Sequence, residues 1–513
     1  MKTPLPNPPP RRRILRKTLF VLATLITLAA LAVAEEDWRG ARAWQKYKRE
    51  QEAKGDSFDM ARLIPKQVPD NQNFAKTPYL APLFKLPPEA LQGPIKSAPT
   101  SQLNGEKLYE AAGHATNLGS YIPVARNLRR KASTWTCPAP SDLLAYAQAC
   151  DTNFTGDGRI LEDRTRAASV VLDHLAPCEA TFAELRAGAR RPYSQFDIPW
   201  AQFANGQVAS ALMEQLAVLK ALYQVLALHA QCELVLGRSD AALDDILVMF
   251  RVDDALKQEP VLIAQLVRWA GMTILLQPLA EAVAEHRWSG DQLRVLQEHL
   301  PKADLLASTV QSLYGERDIC WNPNFDQMRM FPAGWRRLEQ VTLNRMLQEA
   351  ILPRLNLAER TISPSVNHSI DLAWPFPKIP STFGTSVSAV LHHHIMASMN
   401  LPGYSGVPTK LATAQSEVDL ATVACALERC RLVQGRYPET LDALVPTFIA
   451  VLPHDIINAQ PLHYRRTEDG RFVLYSVGWN EKDDGGVVAV KNGDPSHSDP
   501  LQGDWVWPFP ENP

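Results

Sequence analysis

The stretch ALHAQCELVLGRSDAALDDILVMFRV, residues 227–252, decides the architecture. Upstream of it, Leu212, Leu216, Leu219, Leu222, Leu226 and His229 lead to Leu236 at the spacing of one helix face. Gly237 follows, and glycine suits the left-handed position that ends a helix. Ser239 then reads as the cap of a second helix from Asp240 to about Lys257. Pro260 opens a third helix, in which Pro278 predicts a kink. Ser289 and Gln292 have the spacing of a capping box for a fourth, ending before Pro301. A fifth runs from about Ala303 to Glu316, and residues 333–358 predict a further hairpin or long helix. Helices joined by such short turns fold back on one another, as a bundle or solenoid. The fold class is therefore mainly α, with residues 131–360 as a helical-hairpin body.

Outward from this core the chain changes character at both ends. Arg11, Arg12, Arg13, Arg16 and Lys17 precede an uncharged run from Thr18 to Ala34, and Glu35, Glu36 and Asp37 follow. With Ile14 and Leu15, residues 14–34 are long enough for a membrane anchor. Ala32-Val33-Ala34 also fits a signal-peptidase site, so cleavage is the other reading. Both readings put the bulk outside the cytoplasm. The anchored form is a single-pass inner-membrane protein with residues 1–13 cytoplasmic and the bulk periplasmic; the cleaved form is secreted to the periplasm. Residues 35–130 divide into a juxtamembrane helix, with Trp38, Ala41, Trp44 and Lys48 at helical spacing, and a proline-rich strap from about residue 60. Residues 361–404 form a second proline-rich linker. The tetrapeptide Trp374-Pro375-Phe376-Pro377 recurs as Trp507-Pro508-Phe509-Pro510, and both copies predict polyproline-like straps that bury an aromatic ring.

Over the whole chain 53 Lys and Arg face 55 Asp and Glu, a formal charge of −2, and 46% of residues are hydrophobic. That balance excludes a disordered chain and offers no charge excess for nucleic acid. The seven cysteines (Cys137, Cys150, Cys178, Cys232, Cys320, Cys425 and Cys430) contain no C-x-x-C pair. An export compartment permits disulfides, for example Cys137 with Cys150 or Cys178, while buried free thiols are the simpler reading.

Residues 405–513 read as a small α+β module. A helix from Leu411 to Gln434 is capped by Gly435, RYPETLDALVP predicts a short second helix, and strands follow at Leu462–Arg466, Arg471–Ser476 and Gly486–Val490. The segment 426–486 contains Gly435, Tyr437, Pro438, Leu441 and Leu444, then Leu452, Pro453 and Asp455, then Ser476, Gly478, Asp483 and Asp484. This ordered series resembles the globular domain of type II secretion major pseudopilins. Pseudopilins carry their apolar helix directly on this domain. Here the apolar segment lies far upstream, so the resemblance implies a reused fold rather than fibre assembly. The 227–252 stretch is similar to one tetratricopeptide-type unit, without a 34-residue recurrence. The chain as a whole resembles bacterial membrane-anchored envelope proteins that pair an anchor and a DWRGARAWQKYKRE segment (37–50) with RPYSQFDI (191–198), a helical body and this tail. That resemblance implies an envelope location and no particular activity.

Asn480, Asp483 and Asp484 offer hard oxygen ligands in a glycine-rich turn and are candidate ligands for a structural calcium ion. The resemblance implies the same, since pseudopilins hold calcium in the corresponding loop. A solvated turn capped by its own aspartates is the alternative. His392, His393 and His394, with His454 a distant partner, point in different directions and predict an exposed polar run rather than a metal centre. Asp244-Asp245 and Asp253-Asp254 fall on amphipathic helices, where solvent-exposed faces are expected for them. Glu316-Arg317-Asp318 predicts an ion pair at a helix end. G-x-S-x-G, H-E-x-x-H and the P-loop pattern do not occur. The expected function is a membrane-anchored extracytoplasmic binding or assembly protein without catalytic activity, linked to secretion or envelope organisation. Its expected partners are the membrane, through one helix, and an envelope or secretion-system protein, with no nucleic acid. The alternative is an extracytoplasmic hydrolase with its active site between the helical body and the C-terminal module.

Overall fold

Arg11–Glu52 form one continuous helix, α1, so the apolar segment and residues 35–52 belong to the same helix. In the computed structural model, residues 11–84, 141–151, 160–198, 200, 208–322, 325, 331–365, 393, 395–493 and 498–508 are described. The helices that follow are α2 (Leu143–Cys150), α3 (Ile160–Leu175), α4 (Glu179–Gly188), α5 (Val208–Val235), α6 (Ser239–Lys257), α7 (Leu262–Ala284), α8 (Gly290–His299), α9 (Leu305–Gly315), α10 (Ala333–Met346), α11 (Ile395–Ser405) and α12 (Val407–Gln434). Short strands are β1 (Leu355–Asn356), β2 (Thr361–Ile362), β3 (His463–Arg466), β4 (Phe472–Ser476), β5 (Val488–Val490), β6 (Ser498–Gly503) and β7 (Trp505–Val506). The protein is thus mainly helical with small antiparallel sheets: β1-β2, β3-β4-β7 and β5-β6. The described residues fall into two units. One takes them from 1–58, 321–346 and 372–402, and the other from 59–320, 347–371 and 403–513.

In the first unit every residue from Ile14 to Ala34 is exposed, while Gly40, Trp44 and Tyr47 farther along α1 are buried. That half of α1 packs along α10. A Cβ on Gly40 would lie 2.3 Å from the Gly334 carbonyl oxygen, and one on Gly334 would lie 2.0 Å from that of Glu36. Only glycine permits backbones to approach so closely. Asp37 accepts the Gly334 amide, so the acidic residue behind the apolar run satisfies an open donor at the start of α10. On α10, Glu339 accepts the amides of Ile395 (2.6 Å) and Met396 (3.0 Å) at the start of α11. Burial raises its carboxyl to about 7 against the pull of those two amides.

In the second unit α5 and α6 pack against each other, α7 lies against both, and α12 packs on α7, α8 and α9. Helix α7 is long and apolar enough to cross a membrane, but 61% of its most apolar window is buried inside the protein, as for a core helix. The predicted capping box is realised at α8. Ser289 Oγ accepts from the Gln292 amide, and Gln292 Oε1 accepts from the Ser289 amide. Gln292 Nε2 also donates to Ser239 Oγ and Asp240 Oδ1, tying the start of α8 to the start of α6. Ser239 is therefore not the cap of α6. It lies inside the helix, Arg238 is the cap residue, and its hydroxyl is spent on Gln292. The third helix begins at Leu262, two residues beyond Pro260. The fifth starts at Leu305, with the Asp304 side chain accepting from the Ala307 amide.

Of the two expectations for residues 333–358, the long helix holds as far as Arg354 and the hairpin does not form. Helix α10 widens into a π-turn (Leu347–Ile351) and then tightens into a 3-10 turn (Leu352–Arg354), and the chain then turns through β1 and β2. RYPETLDALVP yields only a 3-10 turn, Leu441–Leu444. The final tetrapeptide follows strand β7, in which Trp505 pairs with Ser476; its Trp507 is the buried aromatic ring expected there and donates its amide to Leu474 O. Its Phe509 and Pro510, the first copy at 374–377, and most of both proline-rich segments lie outside the described residues. Of the first strap, residues 60–84 are short 3-10 turns that bury Phe74, Tyr79 and Leu80.

Two buried carboxyl groups make stability depend on pH. Neither oxygen of Glu259 has a hydrogen-bond partner, and burial lifts its pKa well above the ordinary value. Glu417 on α12 accepts the Thr273 hydroxyl at 2.7 Å, and burial lifts it to about 8. Both folded values exceed the unfolded one, so the folded state holds protons that the unfolded state has released. Their stability contribution is complete below about pH 4.5 and is lost as pH rises toward 8. Glu417→Gln is expected to raise stability by about 1–2 kcal/mol at pH 8 and to change little at pH 4. Thermal melts of both proteins across that range check this, and equal shifts at the two pH values would refute it.

Candidate binding groove

The connector 190–198 leaves α4 and runs between the residue 70–76 turns and α6. Asn73 and Tyr193 pair in parallel register. The Phe74 amide donates to Tyr193 O (2.8 Å) and the Tyr193 amide to Gln72 O (3.1 Å). The Asn73 side chain extends this pairing: Oδ1 accepts the Gln195 amide at 3.0 Å and Nδ2 donates to Gln195 O at 2.8 Å. On the other edge, Ser194 Oγ donates to Arg251 O (2.6 Å) and Arg251 Nη2 donates to Arg191 O (2.7 Å). The RPYSQFDI segment is thus a rib held by backbone bonds on one side and by side-chain-to-backbone bonds on the other.

A cavity opens on each side of the rib. The first, of about 550 Å³, is lined by Lys66, Tyr193, Arg251, Asp254, Lys257 and Lys302, with an apolar wall of Pro65, Val68 and Pro192. Arg251 spends one amino group on Asp254 (2.6 Å), and Lys257 Nζ donates to Lys302 O (2.5 Å). Lys66 and Lys302 are exposed, and the Tyr193 side of the rib is 44% exposed. The second cavity, of about 520 Å³, contains Asp70, Lys76, Arg191 and Asp197. There Lys76 sits 3.5 Å from Asp70 and 3.2 Å from Asp197, so its charge is compensated. The first cavity therefore holds the surplus of positive charge. Its residues are far apart in sequence, and the sequence points to the rib, through the RPYSQFDI resemblance, and to Asp254, through the Asp253-Asp254 pair, without bringing them together.

The candidate calcium ligands are brought together in one turn, where they accept hydrogen bonds from neighbouring donors. Asp483 Oδ1 accepts the Tyr475 hydroxyl and the Gly485 amide, each at 2.9 Å, and His463 Nδ1 lies 3.3 Å from Oδ2. Those donors, the Gly485 amide foremost, hold the Asp483 carboxyl below its ordinary value. Asp484 Oδ2 accepts from Asn480 Nδ2 (2.8 Å), and Asn480 Oδ1 accepts the Lys482 amide (3.2 Å). Asp504, unmarked in the sequence reading, accepts the Asp484 and Gly486 amides. Among the described residues no group of three His, Cys, Asp or Glu is arranged to hold a metal ion.

His393 is half-buried beside Trp335, with Nε2 3.6 Å from Glu36; His392 and His394 lie outside the described residues. His454 Nε2 instead approaches Arg360 O at 3.3 Å. The surface expectation for the aspartate pairs is corrected: Asp245 and Asp253 are buried, because each pair spans an inward and an outward helix position. Asp245 Oδ2 lies 2.7 Å from His229 Nδ1, and Asp245 Oδ1 accepts from Arg186 Nε and Nη2. His229 on the apolar stripe was the visible half of that network. The predicted ion pair at the end of α9 forms between Arg317 and Asp318 at 2.7 Å, both buried. Cys150, Cys178, Cys232, Cys425 and Cys430 are free thiols. Cys137 lies outside the described residues.

Glu428 on α12 was also missed. It is fully buried and accepts from Arg431 (2.7 and 2.9 Å) and from the Tyr437 hydroxyl (2.8 Å), with His286 Nδ1 at 2.9 Å. Burial opposes its charge, but these donors outweigh burial and hold its pKa below the ordinary value. The Gly-x-Tyr-Pro pattern thus supplies a hydroxyl for a buried carboxylate. No protein-family model, curated protein or solved structure matches the chain.

Proposed function

We propose that the protein is a membrane-anchored extracytoplasmic binding or assembly protein without catalytic activity, with its amino terminus cytoplasmic and its bulk periplasmic. The observation that carries this reading is the contrast within α1. Residues 14–34 expose apolar side chains on every side of the helix, and the same helix buries Gly40, Trp44 and Tyr47 beyond them. Water does not tolerate such a girdle of exposed leucines, whereas a bilayer does. Five cationic residues before the uncharged run that starts at Thr18, and three acidic residues after Ala34, supply the orientation. The carboxylates between body and tail are occupied as struts, Glu417 by Thr273 and Glu428 by Tyr437, Arg431 and His286, which favours binding over hydrolysis there. For the pseudopilin-like reading of the tail, support comes from α12 packing on β4 and from Tyr437 edge-on to Phe472 at 4.9 Å.

The membrane reading is tested on the full chain in its native membranes. It should remain with the membrane through alkaline carbonate and retain its basic amino terminus. A mature chain beginning at Glu35 and released by the wash would establish the secreted form instead.

A further inference from the structure

We propose that the cationic cavity beside the rib binds an acidic peptide segment of a partner protein, an inference that rests on the binding-protein reading above. Lys66, Arg251, Lys257 and Lys302 face the cavity against a single carboxylate, Asp254. Asp254 is already taken by Arg251, and Lys257 is turned to the Lys302 carbonyl. Lys66 and Lys302 are the exposed cations, contributed by the strap and by the turn after α8. They attract an anion and hold it at the rim, where charge governs encounter and salt dependence.

Charge alone would suit phosphate, a lipid headgroup or nucleic acid equally. The rest of the lining favours peptide. Gln195 and Gln258 stand in the wall, and a carboxamide both donates and accepts, as a peptide backbone requires and a phosphate does not. Pro65, Val68, Pro192 and the half-exposed Tyr193 supply an apolar strip next to the lysines. Such a strip rewards side chains that alternate with carboxylates and gives a bare phosphate nothing. The cavity volume, about 550 Å³, fits a few residues of extended chain. The rib does not need to move to receive them, because Asn73, Arg251 and Ser194 already fix it. Preorganisation of that kind lowers the ordering cost of binding.

The test uses the full chain in detergent micelles and a fluorescent peptide of alternating Asp and Ala. The wild type should bind it with an affinity that falls as salt rises. The double charge reversal Lys66→Glu with Lys302→Glu should weaken binding by roughly tenfold or more. Both lysines are exposed, so the melting temperature of the variant should match the wild type and exclude misfolding. Tyr193→Ala keeps the backbone pairing and should weaken binding without changing the salt slope. Inorganic phosphate and vesicles of anionic phospholipid serve as competitors. Absence of peptide binding, binding indifferent to the double reversal, or full displacement by phosphate or vesicles at equal charge would each overturn the proposal. None of those results touches the carbonate-wash outcome, so failure of the ligand class and failure of the anchored-protein reading remain separate.

Discussion

Arg268→Ala should cost about 3–5 kcal/mol of folding stability. Arg268 is 0% exposed on α7 and donates from Nε (2.7 Å) and Nη2 (3.0 Å) to the two oxygens of Asp253 on α6. Its remaining donors reach Ser308 Oγ on α9 and the Ala303 carbonyl. One guanidinium therefore joins three helices and the turn before α9. Removing it leaves Asp253, itself buried, without its ion-pair partner in a site that water cannot readily enter. Net stability of a domain is on the order of 5–15 kcal/mol, so such a loss is a large fraction of the whole. Arg268→Met combined with Asp253→Leu should recover most of the loss, because it removes both charges and refills the volume. Urea unfolding of the three proteins measures this. If Arg268→Ala unfolds at the wild-type midpoint, the pair is not the strut described.

How far such features can be read in a sequence depends on whether their cause is local. The Ser289–Gln292 box and the left-handed Gly435 act over a few residues, and both stand where the pattern puts them. The Asp244-Asp245 and Asp253-Asp254 pairs look alike in sequence, and which member turns inward depends on Arg186, His229 and Arg268 arriving from other helices. Strand β6 carries Asp, Pro, Gln and Gly, so its pairing comes from its partner strand β5 rather than from β propensity. The cationic cavity is the extreme case: Lys66, Tyr193, Arg251 and Lys302 meet only because the strap, the rib and α6 converge. The apolar half of α1 shows the opposite limit. Its apolar run is visible in the sequence, whereas the Gly40–Gly334 approach beyond it requires the partner helix.

Residues 405–513 should fail to fold when produced alone, despite reading as a separate α+β module. Helix α12 carries Val407, Leu411, Val418, Leu420, Val423 and Leu427, all buried, and it packs on α7, α8 and α9 as well as on β4. Each large apolar side chain returned to water costs about 1.5–3 kcal/mol. Polar stitches to the body would be lost as well. The Leu305 amide donates to Gln415 Oε1, Thr273 Oγ1 to Glu417, Gln297 Nε2 to Thr422 O, and Arg429 Nη1 to Gln297 Oε1. His286, at the end of α7, faces the buried Glu428 and would be missing from its set of donors. Against these losses the fragment keeps the short strands β3–β7 and the Asp455 hub, where Ser476 Oγ and the Val477 amide donate to the carboxylate. So few paired residues do not offset an unpaired helix face exceeding the stability of a typical domain. Circular dichroism and proteolysis of the fragment should show a largely unfolded chain, and adding residues 208–315 in trans should restore protection. A fragment that melts cooperatively on its own would mean that α12 draws its stability from the sheet, and that its contacts with α7–α9 are dispensable.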